Sequence, residues 1–187
     1  MSRILGKPIH HCHVYPDFDA ALARFATGGI GPIYRMRVDA DCWRYRGKVE
    51  PLSMWVGFFH SGDICFEIIT PIGEQRSAYS EFLERNPTGG LHHIAYHSTD
   101  FAATLAKMEA AGMPLRVVQE ILDPETGAVF EIYCETVGVD NPVLYQLQLP
   151  GLFDDWFESM HREAQVWDGA ELFRDITPPS QPAAVEA

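Results

Sequence analysis

The hydrophobic and polar positions of this chain run through the same order twice. HHCHVYPDFDAALARF (10–25) and HIAYHSTDFAATLAKM (93–108) superpose with a shift of 83 residues, which sets His10 on His93, Asp17 on Asp100, Phe18 on Phe101 and Leu22 on Leu105. Further along, ICFEIITP (64–71) matches VLYQLQLP (143–150) at a shift of 79, with Glu67 on Gln146 and Pro71 on Pro150. The four-residue difference between the two shifts fits one shorter loop in the second copy. Each copy predicts a short strand (about 9–15 and 92–98) running into Asp17 or Asp100, whose carboxylates suit the N-cap of a helix. The helices carry Phe18, Ala21, Leu22 and Phe25, or Phe101, Leu105 and Met108, on one face. Gly28–Gly29 and Gly112 stop them. Strands are then expected over Ile33 to Val38, Leu52 to Phe59 and Ile64 to Ile69, and over Leu115 to Ile121, Val129 to Cys134 and Val143 to Leu149. LDPETGAV marks the hairpin between the first two strands of the second set.

The expected fold class is therefore α+β, two tandem βαβββ modules whose sheets form a metal-lined cleft, followed by a C-terminal helix. The modules cover 8–71 and 91–150, joined by a helix-containing linker at 72–90. A helical extension occupies 151–175, and 176–187 reads as a disordered tail with too little apolar content to fold. A helix on one face of each sheet leaves the other face uncovered, and two modules can bury those faces against each other.

With 14 Lys+Arg against 26 Asp+Glu, the formal net charge is −12, a field that repels nucleic acid. No run approaches the ~18 apolar residues of a membrane span, and MSRILGKPIHHC lacks the apolar stretch of a secretory signal. The expected setting is cytoplasmic, with no membrane or nucleic-acid partner. Cys12, Cys42, Cys65 and Cys134 form no CxxC pair and read as reduced, buried thiols.

Candidate chemistry follows from strand alternation. His10 shares a face with Cys12 and Val14, whereas His11 and, next to His93, His92 point to the opposite face and read as structural. Glu67 is a charge in the middle of an apolar strand, costly to bury unless paired or bound to a metal. The repeat thus groups His10, Glu67, His93 and Gln146 at equivalent positions of two equivalent sheets, a nitrogen and oxygen donor set suited to one divalent ion: Zn, Co, Ni, Mn or Fe. Trp43, Tyr45 and Trp55 offer an apolar wall for a small-molecule substrate, and Arg46, with Arg44 and Lys48, forms the basic cluster suited to an anionic group. Trp156, Phe157 and Met160 on the last helix are expected to cover a sheet or a partner subunit.

HHCHVYPDFDAAL, FEIITP, GLHHIAYHSTDF and YQLQLP resemble the vicinal oxygen chelate superfamily, which includes glyoxalase I, methylmalonyl-CoA epimerase, extradiol dioxygenases and bleomycin-resistance proteins. The resemblance covers residues 8–150 and is nearest to the epimerase-like members. It implies ligands on the first and last strands of each module, the same His10, Glu67, His93 and Gln146, and it implies a homodimer. Gln146 departs from the pattern: family enzymes often carry glutamate there, which can also transfer protons, and an amide cannot. The base must then lie elsewhere, with Glu67 as one candidate and Glu50, where the epimerase resemblance places a second acid, as another.

The leading expectation is proton abstraction beside the carbonyl of an acyl-CoA or 2-oxo compound, with a metal-stabilised enediolate, as in an epimerase, isomerase or glyoxalase-type lyase. An Fe(II) extradiol dioxygenase using His10, His93 and Glu67, and a non-catalytic drug-binding protein, are the alternatives.

Overall fold

The computed structural model describes residues 2–151 and 153–177; most of the expected tail lies outside them. In chain order the elements are β1 (Pro8–Val14), α1 (Phe18–Thr27), β2 (Ile33–Tyr45), β3 (Lys48–Ser61), β4 (Ile64–Ile72), α2 (Ala78–Arg85), β5 (Gly90–His97), α3 (Phe101–Ala110), β6 (Leu115–Leu122), β7 (Val129–Thr136), β8 (Leu144–Gln148), α4 (Asp154–Gln165) and β9 (Phe173–Asp175). Asp17 and Asp100 cap their helices as expected, accepting from Ala20 N and Ala103 N at 2.9 Å.

Within each half, the first strand pairs parallel with the last: β1 with β4, and β5 with β8. The registers repeat, His10 opposite Cys65 and Cys12 opposite Glu67 in one half, His93 opposite Leu144 and Ala95 opposite Gln146 in the other. These are the positions that the internal repeat superposes. The halves do not stack as two free sheets. They join edge to edge, β1 antiparallel to β5, and the ring closes where Trp43–Tyr45 of β2 pairs with Gln119–Ile121 of β6. Closure satisfies main-chain groups that open sheet edges would leave unpaired.

Two departures from the expected elements concern β2 and β9. β2 runs on past Val38 to Tyr45, its alternation sustained by Val38, Ala40 and Cys42 against exposed Asp39 and Asp41. β9 adds to β2 at Ile33–Arg35, on the edge that β6 uses at 43–45. Residues 36–42 of that edge pair with no strand among the described residues, which leaves a gap into the ring's interior.

Helix α1 covers the outside of the first half, where Phe18, Ala21 and Leu22 meet Phe59 and Ile68. Helix α3 covers the second, Met108 packing with Ile132, Cys134 and Leu147. The ring's interior holds the main core, into which α4 inserts Phe157 and Met160. Trp156 of α4 lies edge-on to Phe58 of β3, with centroids 5.2 Å apart. Far along α4, Glu163 accepts from Tyr34 OH at 2.8 Å and pairs with Arg174, tying α4 and β9 to β2. All four cysteines are free. No described helix is long and apolar enough to cross a membrane.

Gly89, just before β5, has φ +75°, and a Cβ there would lie 2.4 Å from the Val14 carbonyl oxygen. Strain and a clash with backbone that cannot yield should add, so Gly89→Ala is expected to cost about 2–4 kcal/mol in urea denaturation. Gly127→Ala, at φ +71° in open space, should cost only about 1–2 kcal/mol.

Candidate metal centre and chamber

Four side chains from four strands converge inside the ring where the halves meet. His10 Nε2 lies 3.3 Å from His93 Nε2 and 3.0 Å from Gln146 Oε1, and Glu67 Oε2 lies 3.3 Å from each imidazole Nε2. All four residues are buried. Burial pushes the Glu67 carboxyl up, but His10 and His93 beside it outweigh that, and the group is held far below the ordinary carboxylate range.

The donor set fits a divalent ion. Glu67 Oε2 is buried without a hydrogen bond, and two imidazole nitrogens face it and each other. Separations near 3.0–3.3 Å between donors are those of ligands sharing an ion at about 2.0–2.2 Å each. His10, Glu67 and His93 together have the spacing of a three-ligand metal group.

The protonation of His93 is fixed from outside. Strand alternation would send His92 to the opposite face, but β5 bulges there: Cys12 pairs with His93 and His13 with Leu91, so His92 is the extra residue. Its ring therefore turns toward His93, the Nδ1 atoms 2.9 Å apart, while its Nε2 lies 3.2 Å from the Ala78 carbonyl oxygen. Burial lowers both histidines, His92 well below the ordinary imidazole value and so neutral. A carbonyl oxygen only accepts, so His92 Nε2–H donates to it and His92 Nδ1 must accept. His93 Nδ1–H is then the donor, which leaves His93 Nε2 to give its lone pair to an ion held with Glu67, His10 and Gln146. His10 Nδ1 has no such partner. Cys12, His92 and His93 also have metal-group spacing. There, however, the histidine Nδ1 atoms are committed to each other and burial pushes the Cys12 thiol well up.

Three of the four donors, His10, Glu67 and Gln146, line a chamber of about 150 Å³. Met54, Val56, Phe58, Phe130, Tyr133 and Trp156 are among its apolar lining, and Val38, Ala40 and Cys42 of the unpaired β2 edge lie at its half-exposed side. Trp43 lines it. The other predicted contacts lie elsewhere. Trp55 is 39% exposed and stacks on Phe18 outside the ring. Tyr45 and Arg46 sit at the β2–β3 turn, both bonded to Glu81 of α2. Arg44 pairs with Glu120. Glu50 pairs with Lys48 near the same turn and does not line the chamber. Strand parity aims Glu50 inward, but the ladder carries it beyond the chamber's end, opposite Trp43.

One acidic residue that the repeat conceals does line the chamber. Glu131 of β7 is buried and accepts from Gln146 Nε2 at 2.7 Å, with Tyr133 OH 3.5 Å away and bonded to Tyr79 OH at 3.0 Å. Burial and the Glu67 charge push its carboxyl up to about 7, against the hydrogen bond from Gln146. By register, Glu131 faces Gln148 as Val56 faces Ile69, so its counterpart in the first half is apolar and the repeat gives it no partner. The signal was nonetheless present: VFEIYC places a charge inside an apolar strand, as FEII does for Glu67.

Over residues 9–128 the chain matches the model of the glyoxalase/bleomycin resistance protein/dioxygenase superfamily, and it belongs to that superfamily. It is 29% identical over 109 residues to the ethylmalonyl-CoA/methylmalonyl-CoA epimerase of Cereibacter sphaeroides, covering 58% of this chain and 73% of that one. Methylmalonyl-CoA epimerase from Mycobacterium tuberculosis superposes with a TM-score of 0.53 over 81% of this chain and 92% of that one, at 16% identity, a likeness of fold alone. These relatives are epimerases, enzymes of the same superfamily.

Protein purified without chelator should carry about one divalent ion per chain by mass spectrometry, and the His10→Ala, His93→Ala double variant should carry none. His92→Leu should weaken metal binding about 10–100-fold in a chelator competition, while His92→Gln, which can still donate to Ala78 and accept from His93, should restore most of it.

Proposed function

We propose that this chain is a divalent-metal enzyme that removes and returns the proton beside a carbonyl, an epimerase or isomerase reaction, with glyoxalase-type chemistry open to the same site. The observation that carries the reading is the position of Glu131: a buried carboxylate on the chamber wall, joined to Gln146 beside the converging donors. His10, Glu67, His93 and Gln146 would hold the ion, which supplies the positive charge that makes such a proton removable.

Gln146 cannot take up a proton, and Glu67, one of the converging donors, would be taken up by the ion. Glu131 is free of both limits. Its carboxylate accepts the proton from the substrate carbon, the C–H electron pair moves into the adjoining carbonyl to give an enolate, and Glu131 then holds the proton for return. Return to the same face exchanges the proton, and return after the planar enolate turns over beside Glu131 yields the epimer. Trp43 Nε1 and Gln148 Nε2 belong to chamber-lining residues and have no partner among the described residues, which suits them to carbonyl oxygen. The relatives' printed substrates, ethylmalonyl-CoA and methylmalonyl-CoA, make acyl thioesters the compounds to test first.

A base with a carboxyl near 7 works in its ionised form, so kcat/KM should rise with pH up to about 7 and level off above it. The assay is deuterium incorporation beside the carbonyl of acyl-CoA thioesters in D₂O. Glu131→Gln keeps an acceptor for Gln146 Nε2 but should lower exchange about 10²–10⁴-fold and remove the pH step. Unchanged exchange in that variant would sink the assignment.

His10, Glu67 and His93 also satisfy the two-histidine, one-carboxylate pattern of ring-cleaving oxygenases. Oxygen uptake with a catechol by the Fe(II)-loaded protein, insensitive to Glu131→Gln, would replace the epimerase reading with that one. Tight small-molecule binding with neither metal nor turnover would leave a drug-binding protein.

A further inference from the structure

The carboxyl and imidazole side chains that line the chamber are Glu67, Glu131 and His10. No lysine or arginine among the described residues lines it. The basic cluster of the sequence is spent outside, Arg44 on Glu120, Arg46 on Glu81 and Lys48 on Glu50. The unpartnered donors of chamber residues, Trp43 Nε1 and Gln148 Nε2, are neutral. The half-exposed β2 edge alternates with exposed Arg37, Asp39 and Asp41, of which Arg37 and Asp39 are paired to each other. Away from the donors the walls are apolar and largely aromatic: Phe58, Phe130, Tyr133, Phe153, Trp156 and Phe157.

A second carboxylate, the group that distinguishes a malonyl-type acyl chain, would therefore meet two acidic side chains and no opposite charge beyond the ion. Burying a charge that way is costly. An apolar group gains from the same walls. A volume near 150 Å³ is enough for a benzene-sized group. We infer that the chamber selects substrates whose substituent on the reacting carbon is neutral and apolar, a branched alkyl or aryl group up to about one ring in size, in place of a free carboxylate. This substrate class rests on the proton-transfer reading above.

The reaction is balanced within that reading: the Cα–H bond breaks, its proton passes to Glu131 and its electron pair to the enolate, and the proton returns to Cα. The test offers the metal-loaded protein three thioesters that share one carrier, namely 2-methylbutanoyl-CoA, 2-phenylpropanoyl-CoA and methylmalonyl-CoA. Deuterium exchange at Cα is followed in D₂O after subtraction of the uncatalysed rate. The expected result is a kcat/KM at least about tenfold higher for the two apolar substrates. A preference for methylmalonyl-CoA, or equal rates, overturns the inference and leaves the proton-transfer reading standing. Absence of exchange with all three overturns the reading itself. The chamber's selectivity is then decided by binding alone, through quenching of tryptophan fluorescence by neutral propiophenone against methylmalonate, since Trp43 and Trp156 line the chamber. Tighter binding of the ketone by about tenfold or more supports the inference, and equal or tighter binding of the dianion overturns it.

Discussion

Two imidazoles, a carboxylate and an amide oxygen are brought together inside the ring, His10 Nε2 lying 3.0–3.3 Å from each of the other three, and that crowding of electron-rich atoms is the constraint around which the fold is arranged. Such a cluster is tolerable only where the opposing charge is shared or supplied. The β-ring meets the demand by position. The donors come from β1, β4, β5 and β8, the four adjacent strands at the junction of the halves, so the ladders that join the modules also set the spacing of the donors. Disturbing the β1–β5 pairing would disturb both at once.

A single extra residue adds a second layer of control. Without the bulge at His92, regular alternation would turn that ring away from His93, and the line from the Ala78 carbonyl through His92 to His93 would not exist. With it, a backbone acceptor at the start of α2 determines which nitrogen of a buried imidazole carries the proton two rings away. Glu131 plays a comparable part for Gln146, whose amide nitrogen it engages so that the amide oxygen turns to His10. The same carboxylate stands on the chamber wall, so the group that orients a donor is also placed to exchange a proton. The two halves have thus diverged around a common scaffold: the first supplies the acid of the donor set, and the second supplies an amide backed by an acid.

Helix α4 and β9 lie beyond the repeat and complete the chamber. Phe157 and Met160 fill the interior, Trp156 meets Phe58, and Tyr34, Glu163 and Arg174 tie the segment to β2 beside the unpaired stretch of its edge. The apolar wall facing the donors therefore comes in part from a segment with no counterpart elsewhere in the chain.

The chain's own order of residues determined the modules, the capped helices and the quartet of His10, Glu67, His93 and Gln146. Those features are local or repeated: a period of two in strands, a carboxylate before a helix and a match between copies leave marks on neighbouring letters. What lacked such marks was decided in three dimensions. Ring closure depends on Trp43–Tyr45 meeting Gln119–Ile121, a pairing between residues far apart in sequence. The bulge at His92 breaks the alternation from which its direction would be read. Glu131 has an apolar counterpart, so comparing the copies passes over it although its charge in an apolar strand was visible. Trp55, Tyr45, Arg46 and Glu50 had suitable chemistry but lie outside the chamber, because side-chain type names what a residue can do, and only the ladder's register and the ring's curvature settle what it faces.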